Sequence, residues 1–314
     1  MNIEQILSQI QPRRKVKGIA AALLPFDDRG AIAVEAFQNH LLRTHAAGLT
    51  NAVNMDTGYV NYLSEQEQQL VLKWTRAALP AQTKFVAGAY IERLDGDVVT
   101  LYRRNIDEIV EHGGTPIIIQ TARLHDQSAR EKIKCYEEIC RSYDEVLGFE
   151  LSPVFAANGE IFDNETIRGL MQIPELKGLK HSSLDRMKEL ERLALRDQIR
   201  PEFTIYTGND LAIDMIEHGS DYLLGLATFA PEKFAERDRL WQTGDPAYYA
   251  LSDALQHLGC VAFRPPVPAY KHSAAIFLNL TGRMPSDKAH AKNPTRPAWE
   301  PELMRECAQR LELE

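Results

Sequence analysis

Short apolar runs alternate with helix-patterned stretches eight times along about 230 residues of this chain, and few folds tolerate that rhythm. The runs are Gly18–Pro25, Asn51–Asp56, Phe85–Tyr90, Pro116–Thr121, Val146–Ser152, Leu176–Ser183, Phe203–Thr207 and Tyr222–Ala227. Between them the spacing predicts amphipathic helices over Ala31–Ala47, Val98–His112, Ser128–Tyr143, Asn164–Ile173 and Leu184–Arg196, with a shorter one reaching His218 and a last one from Pro231. Ser64 followed by Glu67 predicts a capping box opening one more helix. Strand–helix repetition implies parallel strands with right-handed crossovers, and eight units close into a ring. The expected fold class is α/β, a (β/α)8 TIM barrel. An open doubly wound sheet is the alternative, but no GxGxxG follows the first strand.

Residues 1–15 read as a short arm or helix stopped at Pro12. Past residue 245 the strand pattern ends. Ala247–Leu258, Ala269–Leu280 and Glu300–Leu313 read as helices, separated by Arg264-Pro265-Pro266-Val267-Pro268 and the polar Pro285–Pro297. We therefore expect a barrel over residues 1–245 and an all-helical C-terminal extension over 246–314.

Composition narrows the partners. A net charge of −8 without a basic cluster argues against nucleic acid and anionic membranes. No run of about 18 apolar residues is present. Met1 to Lys15 lacks the apolar centre of a signal peptide, so a cytoplasmic location is expected. Cys135, Cys140, Cys260 and Cys307 show no CxxC spacing and read as buried thiols of a reducing compartment. No His/Asp/Glu set has metal-ligand spacing, so neither a metal nor another cofactor is expected.

In a closed barrel the chemistry gathers where strands end. The sixth run ends Gly178-Leu179-Lys180-His181-Ser182, and alternation puts Gly178, Lys180 and Ser182 on one face. A lysine turned into a barrel mouth is desolvated, which lowers its proton affinity and frees the amine to attack a carbonyl. His181 then points outward, to pack between strand and helix.

Several anchors make the chain resemble the dihydrodipicolinate synthase / N-acetylneuraminate lyase family over residues 16 to about 283. They are the Gly18…Leu24-Pro25 opening, Gly178-Leu179-Lys180 with its spacing from Glu165-Thr166, Tyr206-Thr207-Gly208-Asn209-Asp210, and Pro265-Pro266-Val267-Pro268-Ala269-Tyr270-Lys271. The resemblance implies a barrel with a C-terminal helical part, a homo-oligomer (tetramer or dimer), and a small-molecule 2-oxo acid substrate of the pyruvate type. It implies that Lys180 forms the Schiff base of a class I lyase.

The departures from the family pattern are as informative. Where it has Gly-Thr-Thr-Gly-Glu to hold a carboxylate, this chain has Asp56-Thr57-Gly58-Tyr59. Asp56 then faces a hydroxyl, amine or cation, or bonds to nearby amides. Counting back from Lys180 without gaps, Ser152 falls where the family has a proton-relaying tyrosine. Its second-carboxylate arginine falls near Ala156 or Ala157, which argues against dihydrodipicolinate synthesis. Its strand-four tyrosine pair gives way to Gln120-Thr121-Ala122-Arg123.

Replacements come from the residues themselves. Glu150 shares a face with Ser152. Turned inward it would pair with Lys180 or shuttle protons, or else form a structural salt bridge. Tyr59 and Tyr62 are candidate phenols, and Arg123 is a candidate cation for a substrate carboxylate. Ser182 and Tyr206 line the expected mouth. Gly208 and Asn209 either present backbone groups to a ligand or, with Asp210, cap the next helix. The expected reaction is aldol cleavage or condensation of a 2-oxo acid. The alternatives are dehydration of a 2-keto-3-deoxy sugar acid and a metabolite-binding barrel without turnover.

Overall fold

Each apolar run becomes a short strand, and each is followed by a helix or turn that packs back over it. The computed structural model describes residues 3–313. The outermost residues of the two expected domains, 1–2 and 314, lie outside that range. The strands are β1 (Gly18–Ala21), β2 (Thr50–Val53), β3 (Phe85–Ala89), β4 (Gly114–Ile118), β5 (Val146–Leu151), β6 (Leu176–Ser182), β7 (Thr204–Thr207) and β8 (Asp221–Leu224). All neighbours pair in parallel, and β8 pairs with β1 to close the ring. This is a (β/α)8 barrel.

After α1 (Ile3–Ser8), the outer layer consists of α2 (Val34–Ala46), α3 (Glu65–Ala78), α4 (Val98–Glu111), α5 (Ala129–Cys140), α6 (Asn164–Gln172), α7 (Arg186–Ile199) and α8 (Pro231–Thr243). Between β7 and β8 a 3-10 segment, Ile213–His218, replaces an α-helix. The capping box expected at Ser64 and Glu67 is formed, and Ser128 with Glu131 makes a second one. Each satisfies amide donors that a helix start leaves open.

Residues beyond α8 form α9 (Ala247–Ala262), α10 (Tyr270–Leu280) and α11 (Glu300–Arg310). Among the described residues no helix is long and apolar enough to cross a membrane. The four cysteines are free, with Cys140 and Cys307 buried as expected, but Cys260 exposed and Cys135 only partly covered. Cys260 lies near the end of α9, on a face that packing does not reach.

Two apolar cores lie on opposite sides of the sheet. The smaller fills the lumen and includes Ala21, Ala52, Ile117, Leu147, Phe149 and Leu151. The larger lies between sheet and helices. Which of them a strand residue joins is decided by its parity, and that parity positions the site.

Candidate active site

Register sets the orientation of every side chain on β5, β6 and β7. Phe149 pairs with Lys180, and Lys180 with Tyr206. Phe149 and Tyr206 belong to the lumen core, so Lys180 is inward as expected. One position on, Glu150 pairs with His181 and His181 with Thr207, all on the outer face. The expectation that Glu150 turns inward is overturned. Alternation ties Glu150 to its neighbours in opposite senses, but only pairing with β6 reveals which side is the lumen.

On that outer face Glu150 is fully enclosed and fully bonded. It accepts from His181 Nδ1 (2.5 Å), Arg192 Nε (3.0 Å) and the Phe162 amide (3.1 Å). His181 Nε2 meets Ser183 Oγ at 2.6 Å. The ion pair with buried Arg192 and the imidazole offset the desolvation of the carboxylate and hold it below its ordinary range, against burial, which pushes the other way. Glu189 of α7 continues the network, accepting from Thr207 Oγ1 (2.9 Å) and Ser220 Oγ (2.6 Å).

Inside, Lys180 has a different environment. It is 7% exposed, and its Nζ stands 4.3 Å from the Phe149 ring centroid. Burial brings the ammonium down to about 8, although Asp210 and Asp56 pull it back up through space. Gly208 is pressed against it: a Cβ there would come 2.7 Å from Lys180 Cε and 2.0 Å from Ser182 Oγ. The Ser182 hydroxyl is buried and has no hydrogen-bond partner among the described residues.

The turn after β7 carries a titratable group, Asp210, that accepts from an amide beyond β8 rather than capping its own helix. Asp210 Oδ1 accepts from the Leu226 amide at 2.7 Å, and burial pushes the carboxyl up to about 7. Lys180 and Asp210 thus both titrate near neutrality. Asn209 holds the turn locally, its Oδ1 accepting from the Leu211 amide at 3.1 Å.

At the end of β2, Asp56, Thr57 and Gly58 form a 3-10 turn. Asp56 pairs with Lys271 (3.0 Å) and accepts from the Tyr270 hydroxyl (3.0 Å), and Thr57 Oγ1 lies 2.8 Å from the same hydroxyl. Within the chain itself Asp56 thus meets a hydroxyl and an ammonium, both supplied by α10. Tyr59 and Tyr62 pack around Lys271 Nζ at 5.5 and 6.0 Å from their ring centroids. His290, from the segment read as a polar spacer, stacks on Tyr62 at 4.9 Å.

Three expected contributors are turned to other tasks. Arg123 donates to the carbonyls of Ile91, Leu94 and Gly96, so its guanidinium clamps the loop after β3. The Ser152 hydroxyl accepts from the Val154 amide at 3.3 Å and holds a turn. Tyr206 is inward, but burial, Asp221 and Glu145 push its hydroxyl up to about 12. Asp221 opens β8 and Glu145 precedes β5, so that hydroxyl faces the amino ends of the strands, opposite the mouth.

Fold and site together define a class: a closed (β/α)8 barrel with a desolvated lysine at the carboxyl end of β6 and a helical C-terminal part reaching the mouth. Solved structures similar in fold to this chain include dihydrodipicolinate synthases and a further member of their family. The chain is similar to dihydrodipicolinate synthase from Thermotoga maritima, at 16% identity and a TM-score of 0.81, covering 96% of this chain and 100% of that one. It is similar to YagE, a prophage protein of the dihydrodipicolinic acid synthase family from Escherichia coli in complex with pyruvate, at 14% identity and a TM-score of 0.80, covering 95% and 99%. It is also similar to the chloride-inhibited dihydrodipicolinate synthase from Acinetobacter baumannii complexed with pyruvate, at 15% identity and a TM-score of 0.78, covering 96% and 100%. No family model matches the chain, and no curated protein does. At such identities the likeness is one of fold.

Proposed function

We propose that the chain is a lyase that binds a 2-oxo acid of the pyruvate type as a Schiff base on Lys180 and makes or breaks a bond beside the carbonyl. The observation that carries this reading is a lysine enclosed at the barrel mouth with its ammonium brought down to about 8, so that free amine is available near neutrality. Two of the similar structures hold pyruvate, which supports that substrate class. The iminium draws electrons from the neighbouring carbon, so a carbon–carbon or carbon–oxygen bond one position away can break. We do not extend the proposal to dihydrodipicolinate synthesis, because Ala156 and Ala157 stand where the resemblance calls for a carboxylate-binding arginine. A homo-oligomer, a cytoplasmic location and a helical extension over 246–314 belong to the same proposal and rest on the resemblance and the sequence pattern.

The test is trapping. Incubation with pyruvate and borohydride should add one reduced pyruvyl group, read by intact mass and located on Lys180 by peptide mass. Lys180→Met should add none. If no 2-oxo acid in a panel leaves an adduct on the wild-type chain, the proposal is wrong.

A further inference from the structure

Amine attack on a carbonyl leaves a proton too many on nitrogen and one too few on oxygen, and the oxygen carries negative charge until a proton reaches it. Several polar groups around the lysine are committed to other bonds. Glu150 lies outside the barrel, and the Ser152 hydroxyl holds a turn. The Tyr270 hydroxyl is bonded to Asp56 and Thr57.

The Ser182 hydroxyl has no such commitment. Ser182 pairs with Leu151, and Leu151 belongs to the lumen core, so the Ser182 side chain is inward. It stands on the same face of β6 as Lys180, two residues nearer the carboxyl end of the strand. It is 1% exposed, and its Oγ meets neither donor nor acceptor among the described residues. Gly208 shows how near the hydroxyl is to the amine. The one point where a Cβ on Gly208 would stand is 2.0 Å from Ser182 Oγ and 2.7 Å from Lys180 Cε. The hydroxyl and the carbon that bears Nζ therefore flank the same point. The Gly208 amide donates to the His181 carbonyl at 2.7 Å, which fixes the turn against β6 there. A buried hydroxyl left unbonded costs the free protein stability, and an oxygen of a bound ligand removes that cost.

We propose that Ser182 is a catalytic residue of the Lys180 reaction, its hydroxyl donating to the carbonyl oxygen of the 2-oxo acid as the amine attacks. The proposal rests on the Schiff-base reading. As the Nζ–carbon bond forms, the carbonyl π pair moves to oxygen, and the Ser182 hydroxyl bonds to the charge that develops there. Ser182 passes its proton to that oxygen and takes the surplus proton from nitrogen. A neutral carbinolamine results and the hydroxyl is restored. The two transfers are coupled, so the serine does not become an alkoxide.

The experiment compares Ser182→Ala with wild type in three measurements. Borohydride trapping of the pyruvate adduct, at concentrations where its rate is proportional to pyruvate, should slow by about 100-fold. Alkylation of Lys180 by iodoacetamide, read by peptide mass, should stay within about twofold, because it places no charge on a carbonyl oxygen. The urea midpoint should hold or rise, because the hydroxyl removed made no bond in the free protein. Trapping at the wild-type rate overturns the proposal. Equal slowing of both reactions also overturns it, because the effect then lies on the amine itself. A lowered urea midpoint, or a variant that does not fold, overturns it as well, because the hydroxyl is then structural. If wild type forms no adduct with any 2-oxo acid, the Schiff-base reading falls and this proposal falls with it. An adduct that forms at full rate in Ser182→Ala leaves that reading standing and removes only the role of the serine.

Discussion

The two faces of the β5–β6–β7 strip hold buried ionisable groups on neighbouring strands, one step of register apart, and treat them in opposite ways. Outside, Glu150 accepts from an imidazole, a guanidinium and a backbone amide, and its charge is held in place. Inside, Lys180 has an aromatic ring for its near neighbour and two carboxylates acting from further off, and its charge is destabilised. Both groups have lost water. Only the first is given replacements for it, and a group left short of replacements is the one able to react. Burial alone therefore does not mark a functional residue. The balance between desolvation and compensation does.

The largest way to break this contrast is to remove the inner charge. Lys180→Met should abolish adduct formation, read by mass, and should stabilise the fold by roughly 3 kcal/mol at pH 7, read by urea unfolding, since burial brings the ammonium down to about 8. The sign follows from linkage. With a folded value of about 8 against an ordinary 10.5, the folded chain sheds its proton before the unfolded chain does, so wild-type stability rises with pH between those values. The cost is fully present below about 8, and the variant should lack the slope.

Removing the outer charge should act the other way. Glu150→Ala strands Arg192 and His181 in the protein interior and should lower stability by about 3–5 kcal/mol, measured by denaturant unfolding, while the pH midpoint of adduct formation stays near that of wild type. A shift of that midpoint by a full unit would mean that the two faces are coupled.

A smaller effect sharpens the inner half. Asp56 raises the proton affinity of Lys180, so Asp56→Asn should move the midpoint of adduct formation down by about half a pH unit. The smallest effect is expected at Arg123. Its guanidinium is spent on loop carbonyls, so Arg123→Ala should leave the trapping rate within about twofold of wild type while lowering the melting temperature slightly.

The sequence carried the scaffold because its signals are local. Eight alternations of period, the Ser64–Glu67 box and the Gly178–Ser182 alternation each lie within a few residues and survive any tertiary context that keeps the strands parallel. The absolute side of β5 was not local. Alternation places Glu150 opposite Phe149 but cannot say which of the two meets Lys180, and a one-residue choice exchanges the faces. The inward side chain turned out to be the aromatic one, which fits a lumen filled by apolar packing.

What the sequence by itself determined is the ring of strands and the lysine's direction within it, because hydrophobic periodicity is a property of neighbours along the chain. What only the tertiary structure decided is the company that lysine keeps. Thr57 and Tyr270 meet across 213 positions, Glu150 and Arg192 across 42. Arg123 has its donors taken by a loop that no spacing rule connects to it. Such contacts depend on how separate elements dock, and docking is set by shape and compensation over the whole barrel rather than by pattern along any one stretch.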